Sequence, residues 1–222
     1  MDPIDERSLY RTVTNAAAFL LDGGRYTGAD KRRLTGWIIA HQNRDKKFIF
    51  YPTPGDQESG ILLLSGEKPR TKLLTGNAVE LETLRLLALI AQAPQVGSLF
   101  RQADERLAGL CFANVCTTGE CAAASIAFLR YRTARDADGS AAQIAHALDV
   151  LRQFRKGDGQ WRFFPFYFTL LWLIELSGGL ARDELAYARN RCERLAARVP
   201  PAAEPTSAIR NKILQLALTQ HA

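Results

Sequence analysis

Three of the four cysteines in this 222-residue chain recur at intervals of five residues, as Cys111, Cys116 and Cys121. Zinc sites favour closer pairs, typically with about two to four residues between ligands, and the fourth ligand would have to be the distant Cys192. We therefore expect no metal and no cofactor. Cys121 falls in the first turn of a predicted helix, where the dipole favours a thiolate, so it is the candidate reactive thiol. Alternatively, Cys111 and Cys192 are small apolar residues.

Carboxylates occur among apolar side chains in three predicted helices. Glu175 is the one ionisable residue in the apolar run 166–176, where it is either an acid or ligand contact or the partner of an arginine. Glu80 and Thr83 share one face of another helix. Glu120 is either a cavity residue or the last member of a capping box that starts at Thr117.

Aromatic residues are concentrated before two of these helices. One group is Phe48, Phe50 and Tyr51, and the other runs from Trp161 to Tyr167. An aromatic-lined pocket suits a lipidic or peptide ligand, whereas the alternative is that the rings form the core of a helical array. No catalytic residue is assigned. The candidate ligand-binding residues are Tyr51, Glu80, Thr83, Glu120, Cys121, Trp161, Phe164, Tyr167 and Glu175.

Signals for the starts and ends of helices run along almost the entire chain. Capping boxes, glycine stops and prolines predict nine helices, at about 5–21, 28–43, 77–92, 96–111, 117–132, 140–155, 165–177, 180–198 and 207–220. The third is expected to start at a capping box from Asn77 to Glu80, and a Pro-rich break at 199–206 precedes the last. The remaining stretch, 44–76, is a long insertion whose short apolar runs predict a small β-hairpin near 47–65.

The predicted helices alternate in character. Those at about 140–155 and 180–198 are amphipathic, while those at about 77–92, 117–132 and 165–177 are apolar nearly all round, which is typical of helices surrounded by protein. Thr75 and Thr118 precede two of the apolar helices 43 residues apart, and Pro165 lies 47 residues further on. A period of roughly 45 residues is one helical hairpin. The sequence therefore predicts one all-α domain over 1–222, either an α/α-toroid or an open α-solenoid of about four helical hairpins.

The turn before the seventh helix carries the most specific motif, whose residues are Gln153, Gly157, Gly159 and Trp161. The glycines allow a tight turn, and the indole can close that turn on neighbouring helices. With the apolar run Pro165 to Leu176, this stretch (about 141–177) resembles the repeat of the terpenoid cyclase and protein prenyltransferase α/α-toroid superfamily, in which a QW motif often joins an outer helix to an inner one. The resemblance implies the fold more than an activity.

The catalytic motifs of that superfamily have no counterpart in this sequence. The string nearest to its Asp-x-Asp-Asp acid motif is 136–139, which lacks the last aspartate and fits a turn. No Asp-Asp-x-x-Asp diphosphate–magnesium motif occurs, and the three histidines do not complete the Asp, Cys and His zinc set of the prenyltransferases. Three functions remain open: a non-catalytic binding protein, a lipid- or isoprenoid-modifying enzyme, and a protein–protein interaction scaffold.

The formal net charge of +6 is spread along the chain rather than gathered in a patch, so we expect no nucleic-acid partner. No secretory signal opens the chain, and its longest apolar stretch is too short for the roughly 20 residues of a membrane span. We expect a cytoplasmic protein with reduced cysteines. Its inner cavity, or the rim of that cavity, is expected to bind an apolar small molecule or a peptide segment without catalysis.

Overall fold

The computed structural model describes residues 2–43, 47–69, 71–136, 140–198 and 204–220. Over these ranges the regular structure consists of ten α-helices and one 3₁₀ helix, with no strand, which confirms the all-α prediction. Four residues of the motifs and segments considered above lie outside the described residues: Asp138, Pro200, Pro201 and His221.

The helices are α1 (Leu9–Leu21), α2 (Gly28–Ala40), α3 (Pro54–Ser59), α4 (Lys72–Ile90), α5 (Ala93–Ala108), α6 (Cys121–Arg135), α7 (Ser140–Gln153), α8 (Phe166–Leu173), α9 (Arg182–Ala196) and α10 (Pro205–Thr219), with the 3₁₀ helix at Cys111–Asn114. The nine predicted helices correspond to α1, α2 and α4 to α10. Helix α3 was not predicted, because it lies inside the insertion.

Helix α4 begins earlier than predicted. The Thr71 side chain accepts a hydrogen bond from the Leu74 N–H at 3.2 Å and caps the helix, so that Asn77 and Glu80 lie inside it. The capping box expected from Asn77 to Glu80 is therefore wrong. Thr71 provides a cap of the same kind further upstream, and the longer helix buries more apolar surface.

The hairpin expected near 47–65 is not formed, since residues 47–69 contain no strand. Helix α3 occupies the middle of this stretch instead, with Thr53 and Asp56 forming its capping box and Pro54 in its first turn. The following run, 61–64, is packed into the core except for Leu62. A lone two-stranded hairpin is marginally stable, so burying this run against helices is the more favourable outcome.

The helices predicted to be apolar on all sides are the buried ones. Helix α4 packs against α1, α2 and α6, and α6 packs in turn against α8. Residues 122–131 of α6 are all buried, as are residues 168–173 of α8. Helix α10 covers α8 and α9, and α7 lies against α6 and α9. Protein therefore surrounds these helices, as their sequences predict.

Helices α4, α6 and α8 run in the same direction. Their N-terminal ends open on one cleft, through Leu74, Glu120 and Pro165, and their C-terminal parts open on another. The partial positive charges of the three helix N-termini therefore face the first cleft. The insertion passes between the two clefts, because Leu63 lines the first and Leu64 lines the second.

Candidate functional site

A cleft of about 670 Å³ lies at the N-terminal ends of α4, α6 and α8, and we refer to it as the N-terminal cleft. This volume is within the range of small-molecule sites, roughly 300–1,000 Å³. Its apolar walls are Leu63, Leu74, Ala123, Phe163, Phe164 and Pro165, and its polar side chains are Glu67, Lys68, Glu120 and Arg210. The cleft thus combines an apolar surface with a few charged groups.

Phe163 stands out in this cleft for its backbone and its exposure. Its φ angle is +70°, in the left-handed region that a bulky side chain rarely adopts, and its side chain is one of the exposed large hydrophobic groups, at 56%. Strained residues persist only where the surrounding structure holds them, and they cluster at ligand sites. The surrounding structure therefore maintains this backbone conformation, which places an aromatic ring on the wall of the cleft.

Glu67 and Arg210 fasten the insertion to α8 and α10. The Glu67 carboxylate accepts hydrogen bonds from Ser65 Oγ and from the Tyr167 N–H (3.1 Å) at the start of α8, while burial raises its pKa. Arg210 donates to the backbone oxygens of Ser65 (2.9 Å) and Gly66 (3.1 Å) and lies over the Tyr167 ring. Protein groups therefore already hold both charges, and Tyr167 belongs to this fastening.

Glu120 differs from Glu67 and Arg210 in its hydrogen bonding. It occupies the N-cap position of α6 and makes no side-chain capping bond, and both of its carboxylate oxygens are buried with no hydrogen-bond partner among the described residues. The capping box expected to end at Glu120 is wrong because α6 begins only at Cys121, which leaves Glu120 outside the first turn. A carboxylate is favourable at a helix N-terminus, yet as an acceptor it needs donors.

Glu120 and Leu74 also line a second, smaller pocket of about 140 Å³, which we refer to as the cysteine pocket. Cys111 and Cys121 lie on its wall with their sulfurs 3.5 Å apart, and the Cys116 sulfur is within 4.8 Å of both. Burial and the neighbouring thiols raise the pKa of Cys121 to about 12, opposite to the direction expected from the helix dipole. Hydrogen bonds with Thr118 lower the pKa of Cys116 instead.

Glu80, Thr83 and Tyr51 pack inside the helical array. Glu80 is fully buried, accepts a hydrogen bond from the Ile49 N–H at 2.6 Å and pairs with Arg106, while desolvation raises its pKa to about 7. The Thr83 hydroxyl donates within its own helix. The Tyr51 ring packs beside Phe48, and both rings lie against α4 where Gly76 has no side chain.

Trp161 closes the glycine-rich turn on α9, as the sequence predicts. Its indole N–H donates to the buried Glu184 carboxylate at 2.8 Å, and Arg155 pairs with the same carboxylate. The Tyr187 hydroxyl accepts from the Gly157 N–H and donates to the Gln160 carbonyl, which fixes the turn from the same helix. Trp161 is therefore a structural residue of the turn and does not line the N-terminal cleft.

Glu175 lies in the other cleft, of about 410 Å³, at the C-terminal ends of the helices. It pairs with Arg85 at 2.7 Å and with Arg130 at 2.8 Å, and Arg130 also pairs with Glu82. Arg130 is fully buried and the other three side chains are mostly buried. An arginine partner was one of the two alternatives predicted for Glu175, and the structure contains two such partners, Arg85 and Arg130.

Of the nine candidates, Glu120 and Phe164 line the N-terminal cleft and Glu120 and Cys121 line the cysteine pocket, whereas the other six line neither. Three residues that line the N-terminal cleft were not predicted from the sequence, namely Leu63, Phe163 and Arg210. Phe163 was visible among the aromatic residues. Leu63 was not assigned to the site because its apolar run resembles a strand. Arg210 carries no local sequence signal, since its position depends on the packing of α10.

Among the described helices, none combines the length and the apolar character that a bilayer crossing requires. Comparisons of the chain with models of protein families, with curated proteins and with solved structures give no match.

Proposed function

We propose that this chain is a non-catalytic helical repeat protein that binds an apolar small molecule or an apolar peptide segment in the N-terminal cleft. The ligand presents a hydrogen-bond donor to Glu120. The observation that carries this proposal is the Glu120 carboxylate, buried at the wall of the cleft with neither oxygen bonded. A buried acceptor without a donor is costly, and a ligand that supplies the donor recovers that free energy on binding.

The apolar part of the ligand is expected to lie on the side formed by Leu63, Phe163 and Phe164. Burying apolar surface gives affinity, and the few polar groups fix the orientation. Since Glu67 and Arg210 are engaged with the protein, Glu120 and the exposed Lys68 are the charged groups left in the cleft, and Glu120 is the buried one that lacks a donor. A cationic or neutral donor is therefore preferred to a carboxylate.

The parallel course of α4, α6 and α8 supports the α/α-toroid type of repeat as the architecture around this cleft. The return helices α5 and α7 separate them along the chain, so that each buried helix alternates with a more polar one. The turn from Gln153 to Trp161, closed on Glu184, supports the resemblance to the terpenoid cyclase and prenyltransferase repeat. In such a repeat, the starts of the buried helices form the rim of the inner cavity.

The test uses N-phenyl-1-naphthylamine, an apolar fluorophore with one N–H donor, whose emission rises in an apolar site. We expect saturable binding to the full chain, and displacement by three ten-carbon competitors in the order decylamine, decanol, decanoate. In Glu120→Gln the preference for decylamine over decanoate falls about 10-fold, because a charge-assisted hydrogen bond contributes about 1.5–3 kcal/mol. The matched control is Glu193→Gln, an exposed carboxylate on α9.

Three results contradict the proposal. The first is the absence of saturable binding, and the second is an unchanged preference for decylamine over decanoate in Glu120→Gln. The third is tighter, magnesium-dependent displacement by geranyl diphosphate, which favours the isoprenoid-modifying enzyme. An apolar peptide with a free N-terminal amine, tested beside its acetylated form, distinguishes the peptide segment from the small molecule, since only the free amine supplies a cationic donor.

A further inference from the structure

The three cysteines of the cysteine pocket come together through the segment between α5 and α6. The 3₁₀ helix Cys111–Asn114 is followed by Val115 at φ +54°, and Gly119 at φ +52° precedes α6. Two residues with positive φ thus occur within this short segment. A β-branched residue at positive φ is a strained conformation, and such strain is typical of ligand clamps.

The sulfur positions match the spacing of metal ligands. A four-coordinate zinc ion with Zn–S bonds of about 2.3 Å holds its sulfurs roughly 3.8 Å apart. Here the Cys111 and Cys121 sulfurs are 3.5 Å apart, and all three sulfurs lie within 4.8 Å of one another. All three cysteines are free thiols. A disulfide requires sulfurs at about 2 Å, which is well short of the separation here.

The surroundings supply what a thiolate site needs. Thr118 hydrogen-bonds to Cys116, as groups around a metal ligand commonly do. A bound cation deprotonates a coordinating thiol outright. Cys111 is exposed, so an ion has access from solvent.

We propose that Cys111, Cys116 and Cys121 bind one Zn²⁺ ion as three thiolates, with the fourth coordination position open to the cysteine pocket. The five-residue spacing of the cysteines predicts no metal site, because the ligands of common zinc motifs are closer together along the sequence. In the structure the three sulfurs come together across these longer intervals, along a segment in which Val115 and Gly119 have positive φ. This site does not depend on what occupies the N-terminal cleft.

The experiment titrates the full chain, reduced and stripped of metal, with Co²⁺, whose absorption reports thiolate ligands and tetrahedral geometry. We expect a thiolate charge-transfer band that saturates at one Co²⁺ per chain and disappears when Zn²⁺ is added. Cys116→Ser lowers the Zn²⁺ affinity more than about 100-fold, since changes outside the ligand set alone cost 10–100-fold. Cys192→Ala, at a buried cysteine in α9, leaves the band unchanged.

A second measurement on the unaltered chain avoids any folding defect of the variants. Zn²⁺ is expected to protect all three cysteines from N-ethylmaleimide, as located by peptide mass mapping. The inference is overturned if the cobalt band is absent, or if Zn²⁺ leaves the labelling unchanged. It is also overturned if Cys111 and Cys121 form a disulfide in air and the reduced chain binds no metal.

Discussion

Two buried carboxylates in this molecule show how partners decide the role of a residue. Glu80 accepts hydrogen bonds from the backbone N–H of Ile49 and pairs with Arg106, so its charge is compensated within the protein. Glu120 has no such partner within the described part of the chain, and its buried oxygens lie at the wall of two pockets. At the residue scale, we therefore assign Glu80 to stability and Glu120 to binding.

The raised pKa of Glu80 predicts a pH-dependent stability. Its folded-state pKa of about 7 lies above the ordinary 4.5, so the folded state binds more protons between these values. The free energy of unfolding therefore falls as the pH rises from about 4.5 through 7. The loss is on the order of 3 kcal/mol, because each pKa unit is worth about 1.4 kcal/mol.

Urea unfolding of the unaltered chain and of Glu80→Gln, between pH 5 and pH 8, measures this dependence. The stability of the unaltered chain relative to Glu80→Gln is expected to fall as the pH rises, whereas its stability relative to Glu193→Gln, at an exposed ion pair, shows no such trend. A difference that stays constant with pH would show that Glu80 has an ordinary pKa.

The sequence could place both acids on buried helices but could not rank them. Their apolar neighbours along the chain look alike, and both fitted a capping box. The two acids differ in the partners that other elements supply. Ile49 of the insertion and Arg106 of α5 bond to the Glu80 carboxylate. The late start of α6 leaves Glu120 unsatisfied. Such partners are set by tertiary packing, which no local pattern reports.

At the scale of elements, the insertion is the part that joins the helices together. Ser8 of the α1 cap hydrogen-bonds to Asp56 of α3, and Tyr10 accepts from the Leu62 N–H at 3.0 Å. Gly66 then lies directly against Thr206 of α10, where a Cβ atom would overlap the threonine methyl group. The insertion is thus attached to both ends of the described helical array, α1 and α10.

Two glycines of the insertion form a matched pair that tests this attachment. Gly60 and Gly66 share a φ of +78°, but only Gly66 faces a neighbour. Gly60→Ala is expected to cost about 1 kcal/mol of unfolding free energy, from backbone strain alone. Gly66→Ala should cost about 2–4 kcal/mol, because overpacking adds to the strain.

Urea unfolding of both variants gives the comparison, and Thr206→Ser, which removes the overlapping methyl group, should recover part of the Gly66→Ala loss. Equal costs at the two glycines, with no recovery, would mean that the insertion does not rest on α10. The sequence identified the insertion by its length and lack of helical period. It could not give the path, because the contacts with α1 and α10 join residues up to 145 positions apart.

For the whole molecule, a buried charge cluster joins the parallel helices. Arg130 of α6 bridges Glu82 of α4 and Glu175 beyond the end of α8, and Arg85 completes the cluster from α4. Arg130 also lies over the Phe168 ring, 5.1 Å from its centre. Because the four charges balance, the cluster holds the three helices in register at the end opposite the N-terminal cleft.

Arg130→Met is expected to lower the free energy of unfolding by about 3–5 kcal/mol, since it leaves Glu82 without its partner and Glu175 with only one. Arg189→Met breaks an exposed pair with Glu193 and should cost no more than about 0.5 kcal/mol. Chemical denaturation measures both. A small loss at Arg130 would show that the cluster does not hold the helices together.

We assign binding to the N-terminal cleft, and amide chemical shifts during a decylamine titration test this assignment. We expect saturable shifts at Leu63, Ala123 and Phe163, which line that cleft, and saturation at higher decylamine concentration in Glu120→Gln. Shifts confined to Leu89 and Leu216 of the opposite cleft, or no saturable shift at all, would contradict it.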